Sequence, residues 1–192
     1  MSEGYTKFNC KRIEKKLTEN ISEINQLRKK LYSLKLIGAH EDGVGYGNIS
    51  IRNGKGFLIS GTKTGGIERL TKKHYTQVTD WDYKENNLTC VGPIDASSES
   101  LTHGAVYEAD SEINAVIHIH NLELWARLIF QVPTTSMEVE YGTPRMAEEI
   151  FRLFRETKVK EKKILVMGGH PEGIISFGKD LDEAGRILLN YF

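Results

Sequence analysis

The sequence predicts an α/β fold: a single-domain, three-layer α/β/α arrangement around a central, mostly antiparallel sheet. Three observations lead there. Segments with apolar residues every three or four positions open and close the chain. Short apolar or alternating runs lie between them, several joined by turn sequences. The connections are short, with no linker, repeat or low-complexity stretch, and 192 residues suit one core. Strands in hairpins mixed with helices make a central sheet covered by helices on its faces.

Taken in order, Ile13, Leu17, Ile21, Ile24, Leu27, Leu31, Leu34 and Ile37 step by three or four, predicting a helix over residues 11–37. Gly38 is placed to end it in a left-handed cap, and the intervening Lys and Glu residues read as a solvated face. Residues 48–52 and 57–60 flank Asn53-Gly54, a hairpin signal. The glycines of Gly43-Val-Gly-Tyr-Gly47 precede that strand. A dinucleotide fingerprint follows a strand and opens a helix, so that reading is rejected. Residues 75–81 and 88–91 predict a second strand pair with its turn at 84–87. A serine of Ala96-Ser-Ser-Glu-Ser100 is placed to cap a helix running to Ala109. Residues 114–120 form a buried strand in all but the histidines, followed by helices at 122–130 and 143–156. The basic stretch 158–163 reads as a solvated connection. Residues 163–167 and 174–177 are further strands, and Asp180-Leu-Asp-Glu183 opens the last helix.

Composition excludes several function classes. Lys+Arg and Asp+Glu number 26 each, so zero net charge leaves no footprint for a phosphate backbone and excludes nucleic acid as a partner. No apolar run approaches the roughly 18 residues a membrane span needs, and the polar start lacks the apolar stretch of a signal peptide. Cys10 and Cys90 are too few for a disulfide framework and form no Cys-x-x-Cys pair, which points to a reducing, cytoplasmic compartment. A soluble enzyme or a binding domain remains.

The chemistry is concentrated in histidines. His118 and His120 are one residue apart on a strand, so both imidazoles leave the same face. His170 follows an apolar strand through Gly168-Gly169, where a loop is able to aim it inward. Three neutral imidazoles with an open fourth position describe a catalytic zinc site rather than a closed structural one. Glu99 stands at a helix start; it is either an ordinary acid favoured by the helix dipole or a base beside the metal.

Gly47-Asn-Ile-Ser50, the 59–65 loop Ile-Ser-Gly-Thr-Lys-Thr-Gly, Ala96-Ser-Ser-Glu99, His118-Ile-His120 and Gly169-His170 occur in this order over nearly the whole chain. Together they resemble the class II aldolase/adducin family, typified by zinc-dependent sugar-phosphate aldolases and 4-epimerases. The resemblance implies one Zn2+ per chain on His118, His120 and His170, with Glu99 as the catalytic carboxylate. It implies that Asn48, Thr64, Gly65, Ser97 and Ser98 hold a substrate phosphate. His103, one turn after Glu99, is either a support for the site or a packed structural histidine.

The implied activity is that of an aldehyde-lyase cleaving a small phosphorylated sugar through a metal-stabilised enediolate. A sugar-phosphate epimerase or dehydratase, or a non-catalytic adducin-like module, are the alternatives. A homotetramer with active sites at subunit boundaries is implied as well. Four features depart from the fuculose-phosphate pattern. The phosphate loop is one residue longer, so Thr62-Lys63 competes with Thr64-Gly65. Glu138 stands where a neighbouring subunit's tyrosine is expected. Pro171-Glu172 is inserted directly after the third histidine, and the sequence ends at Phe192 without the tail that supplies a further tyrosine.

Overall fold

The computed structural model describes residues 6–192. In chain order the elements are β1 (Asn9–Ile13), α1 (Ser22–Ser33), the two-residue strands β2 (Gly38–Ala39) and β3 (Gly45–Tyr46), β4 (Asn48–Asn53) and β5 (Gly56–Ser60). There follow β6 (Tyr75–Asp82), β7 (Asn87–Val91), α2 (Ser100–Ala109), β8 (Ala115–His120) and α3 (Leu122–Leu128). The chain closes with α4 (Pro144–Glu156), α5 (Val159–Lys162), β9 (Ile164–Val166), β10 (Gly173–Gly178) and α6 (Leu181–Tyr191).

Eight strands form one sheet in the order β1-β7-β6-β5-β4-β8-β10-β9, while β2 and β3 pair as a separate ribbon. Only the β1–β7 pairing in the large sheet is parallel. Alternation along the strands divides the core into two layers. On one face Val116, Ile175, Phe57 and Ile59 pack with Leu101, Ala105, Met146 and Ile150 of α2 and α4. On the other Ile117, Ile119, Ile174 and Leu58 pack with Ile24 and Leu31 of α1, Leu124 of α3 and Leu188 of α6. The sheet between helix layers is the architecture the sequence predicts.

The β4–β5 hairpin forms as expected, with Asn53 opposite Gly56 and Gly54 at φ +60° as the first loop residue. Several expectations need correction. Residues 11–37 are not one helix: 9–13 form β1, and α1 begins only at Ser22, whose amide donates to Asn20 Oδ1 at 3.0 Å. That side-chain bond competes with helix and starts a new one. α1 also ends before Gly38. Lys35 takes the left-handed cap at φ +58°, with Lys35 N–H on Tyr32 O and Leu36 N–H on Leu31 O, a Schellman closure. Finally, residues 158–163 are not merely a solvated connection, because the turn of α5 buries Val159 completely.

The helix expected at 122–130 stops at Leu128, and Phe130 turns out at φ +61°. Cys10 and Cys90 are both free thiols, on neighbouring strands, with their Sγ atoms 3.7 Å apart. Among the described residues no helix is long and apolar enough to cross a membrane. The first five residues of the polar start lie outside the described ones.

Candidate metal centre and its cleft

β8 ends in the alternation Val116-Ile-His118-Ile-His120, which sends both histidines to the α2/α4 side of the sheet. They are not exceptions to a buried strand, since His118 is 1% and His120 5% exposed. His170 comes from the β9–β10 loop, where Gly173 N–H donates to His170 O and His170 N–H to Met167 O. Glycines make that tight loop possible. A Cβ on Gly173 would stand 2.5 Å from His170 Cδ2 and 3.2 Å from His118 Cε1. Cβ atoms on Gly168 and Gly169 would meet the carbonyls of Thr135 and Val139 at 2.3 Å.

Three ring nitrogens converge there. His120 Nε2 lies 3.0 Å from His118 Nε2 and 3.1 Å from His170 Nε2. A tetrahedral zinc with bonds of about 2.0–2.1 Å sets its ligand nitrogens roughly 3.3 Å apart, so the spacing fits a metal. Protonation fits too. Burial, then neighbouring His120, His170 and His103, holds His118 well below the ordinary imidazole value. Burial, then His120 and Lys7, does the same for His170. His118 Nδ1–H donates to Ile174 O at 3.3 Å, which leaves its Nε2 lone pair directed at the cluster.

Glu99 occupies the N-cap position of α2 and is 2% exposed. Its Oε2 accepts the Thr102 hydroxyl at 2.8 Å, and its amide donates to Ser97 Oγ at 3.4 Å. The cap is therefore backbone geometry at Glu99, not a serine side chain on the helix. The glycine-rich loop lies beside this segment: Gly61 bridges Ala96, and Thr62 N–H donates to Asp95 O. Thr64 Oγ1 donates to Gly61 O at 2.7 Å, and Arg28 of α1 donates to the carbonyls of Thr64, Gly65 and Glu68. With its carbonyls held from behind, the loop turns towards the cleft. Asn48 sits directly across the β4–β8 ladder from His118.

All nine residues singled out in the sequence line one cleft of about 320 Å³: Asn48, Thr64, Gly65, Ser97, Ser98, Glu99, His118, His120 and His170. Thr62 and Lys63 line it as well, so the longer loop brings both candidate pairs to the cleft. Glu138 is exposed and does not line the cleft of its own chain. His103 is fully buried, with Nδ1 2.7 Å from Ser50 Oγ, which in turn lies 2.8 Å from Tyr107 Oη. Burial pushes it down to about 3, a neutral packed histidine behind the site.

Four residues at the site escaped the sequence reading. Tyr46 stacks on His120 with ring centroids 5.4 Å apart, and Tyr141 lies against His170 at 4.6 Å. His40 and Glu172 approach His120 from its other side, each with one polar atom within 4.8 Å of the others. All four come from short strands or loops, where periodicity carries no signal.

The family model described as Class II Aldolase and Adducin N-terminal domain matches residues 32–190. The chain belongs to this family. Two L-fuculose phosphate aldolases are 28% identical: one from Haemophilus influenzae over 156 residues, 72% of this chain and 65% of that protein; one from Methanocaldococcus jannaschii over 153 residues, 72% and 75%. This class II chain thus spans just under two thirds of the H. influenzae aldolase. Among solved structures, the sugar-phosphate aldolase from Thermotoga maritima aligns over 89% of this chain and 90% of its own, with TM-score 0.63 at 18% identity. The L-fuculose-1-phosphate aldolase from Thermus thermophilus aligns over 87% and 83%, with TM-score 0.61 at 22% identity. They share the class II aldolase fold seen here.

Proposed function

We propose that this chain is a zinc-dependent aldolase that cleaves a carbon–carbon bond in a small phosphorylated sugar. The observation that carries the reading is the convergence of three buried imidazoles, 3.0 and 3.1 Å apart, in a cleft that also holds a buried carboxylate and a donor-rich loop. His118, His120 and His170 would hold the ion. When bound, it supplies a Lewis acid that favours negative charge on a carbonyl oxygen as the neighbouring bond breaks.

The remaining work falls to the chain's own groups. Glu99 moves the proton at carbon, and the Thr102 hydroxyl fixes the plane of its carboxylate. Asn48, Ser97 and Ser98 offer an amide and hydroxyls to the phosphate, and Thr64 and Gly65 offer main-chain N–H groups. Thr64 enters through its backbone because its hydroxyl proton is already given to Gly61 O. Such donors bind an anion without a basic patch, in keeping with zero net charge. The similarity to two L-fuculose phosphate aldolases supports a phosphorylated sugar. The family resemblance supports a homotetramer with clefts at subunit boundaries, and the two free thiols suit a reducing cytoplasm.

The test is metal content by mass spectrometry of protein purified without chelator, paired with turnover of L-fuculose 1-phosphate and related ketose phosphates. One zinc per chain and release of aldehyde and triose phosphate are expected. Glu99→Gln is expected to keep the metal and lose about 10²- to 10⁴-fold in turnover. Epimerised or dehydrated product without cleavage would move the reaction while keeping the site. A chain that takes up no metal would sink the reading.

A further inference from the structure

We propose that Glu172 is a positioning residue whose carboxylate accepts the Nδ1 proton of His120 and so turns the Nε2 lone pair of that ring towards the metal. This inference rests on the metal reading above and concerns a residue that the family resemblance leaves without a role, in the Pro171-Glu172 pair directly after the third histidine.

Geometry carries it. His120 Nε2 faces His118 and His170, so Nδ1 is the atom left for a partner on the outside of the cluster. Glu172 Oε2 lies 3.7 Å from that Nδ1, about 0.9 Å longer than a charge-assisted hydrogen bond. The two residues are tied through the backbone as well, because Asn121 N–H donates to Glu172 O at 3.0 Å. Tyr46 braces the ring by stacking on it, so the imidazole has little freedom to flip.

The backbone at Glu172 is a second, independent observation. It sits at φ +72°, in the left-handed region that glycine occupies without strain and glutamate does not. A strained glutamate between Pro171 and Gly173 calls for a use of its side chain. Holding a metal-ligating histidine in one tautomer is such a use, and a carboxylate there also raises the basicity of the ligating nitrogen. His118 receives the same service from a carbonyl, Ile174 O.

His40, His120 and Glu172 also lie close enough together to be considered a second metal site. Chemistry favours the positioning role. To bridge two cations His120 would have to lose its last ring proton, and only two other donors, both partly exposed, would remain.

The experiment compares wild type with Glu172→Gly and Glu172→Gln, stripped of metal and titrated with zinc against a chromophoric chelator. Glycine relieves the left-handed strain while removing the carboxylate. The expected result is therefore a thermal midpoint of the metal-free Glu172→Gly protein equal to or above wild type, with zinc affinity lower by about ten- to a hundredfold. Glu172→Gln keeps a neutral acceptor and is expected to fall by less. ¹⁵N NMR of the metal-free wild type should show His120 protonated at Nδ1, with the Nε2–H form appearing in Glu172→Gly. Unchanged zinc affinity in both variants, beside a wild type that binds zinc, overturns this inference alone. Two zinc ions per wild-type chain overturn it as well, in favour of the second site. A wild type that takes up no zinc overturns the metal reading and this inference with it.

Discussion

Arg28 carries its guanidinium into the interior, 2% exposed, and gives its hydrogens to the carbonyls of Thr64, Gly65 and Glu68. Burial lowers its pKa, although an arginine stays charged in any ordinary buffer. Arg28→Met would fill much of the volume and leave three carbonyls without their donor, a cost of about 2–4 kcal/mol. Urea unfolding should show that loss. Zinc affinity should change little, because the histidines ride on β8 and the β9–β10 loop, while KM for a phosphorylated substrate should rise as the 61–65 loop loosens. In the sequence Arg28 stands beside Lys29 and Lys30, among Lys and Glu residues that read as a solvated face, and so went unremarked. Its spacing says otherwise, since 24, 28 and 31 share one stripe and both neighbours are buried apolar residues. Asn48, Glu99 and the three histidines could be singled out because their residue types suit metal and phosphate chemistry, and what the structure adds is that they meet in one cleft. Tyr46, Tyr141, His40 and Glu172 were not, because a ring or carboxylate on a loop declares nothing until tertiary structure sets it against an imidazole.

Elements were legible where their causes are local. The β4–β5 hairpin follows from a glycine at its turn, and α6 follows from Asp180, whose side chain accepts Glu183 N–H at 2.8 Å. Asp180→Ala should cost about 1 kcal/mol in stability and leave the cleft untouched, read as a lower midpoint in denaturant with an unchanged slope. The false helix over 11–37 has a physical lesson. Ile13, Leu17 and Ile21 fall on a helical spacing by chance, but Glu19 and Asn20 interrupt the segment with side-chain oxygens that accept the amides of Thr18 and Ser22. Ile13 is left half exposed at the end of a strand. Nor was the meeting of Cys10 and Cys90 legible: it requires β1 to pair with a strand 78 residues further on, a contact no local pattern encodes.

Taken as a whole, the molecule buries four histidines and holds three of them below the ordinary imidazole value: His103 at about 3, and His118 and His170 well below it. Their folded pKa values are depressed, so at low pH the unfolded chain binds more protons than the native one. The stability they contribute is complete above about pH 6.5 and is lost as pH falls towards the folded values. Urea midpoints of metal-free protein should therefore drop steeply from pH 6.5 to 4.5, by up to about 1.4 kcal/mol per pH unit for each histidine. A flat profile would mean that these rings are already protonated in the native state. The sheet also has two ends, and each is closed differently. At β9 the outer groups are occupied, with Val166 N–H on Pro133 O and Thr135 N–H on Val166 O. At the other end β1, mostly exposed and carrying Lys11 and Arg12, covers β7 with its buried Leu88 and Cys90. β1 adds little to either core layer; as the edge strand it sets Lys11 and Arg12 at the rim in place of the more apolar β7, and such charges discourage pairing with a neighbouring chain. A chain lacking residues 1–15 should keep His118, His120 and His170 in place yet associate edge to edge, with light scattering reporting large aggregates where the full chain gives none.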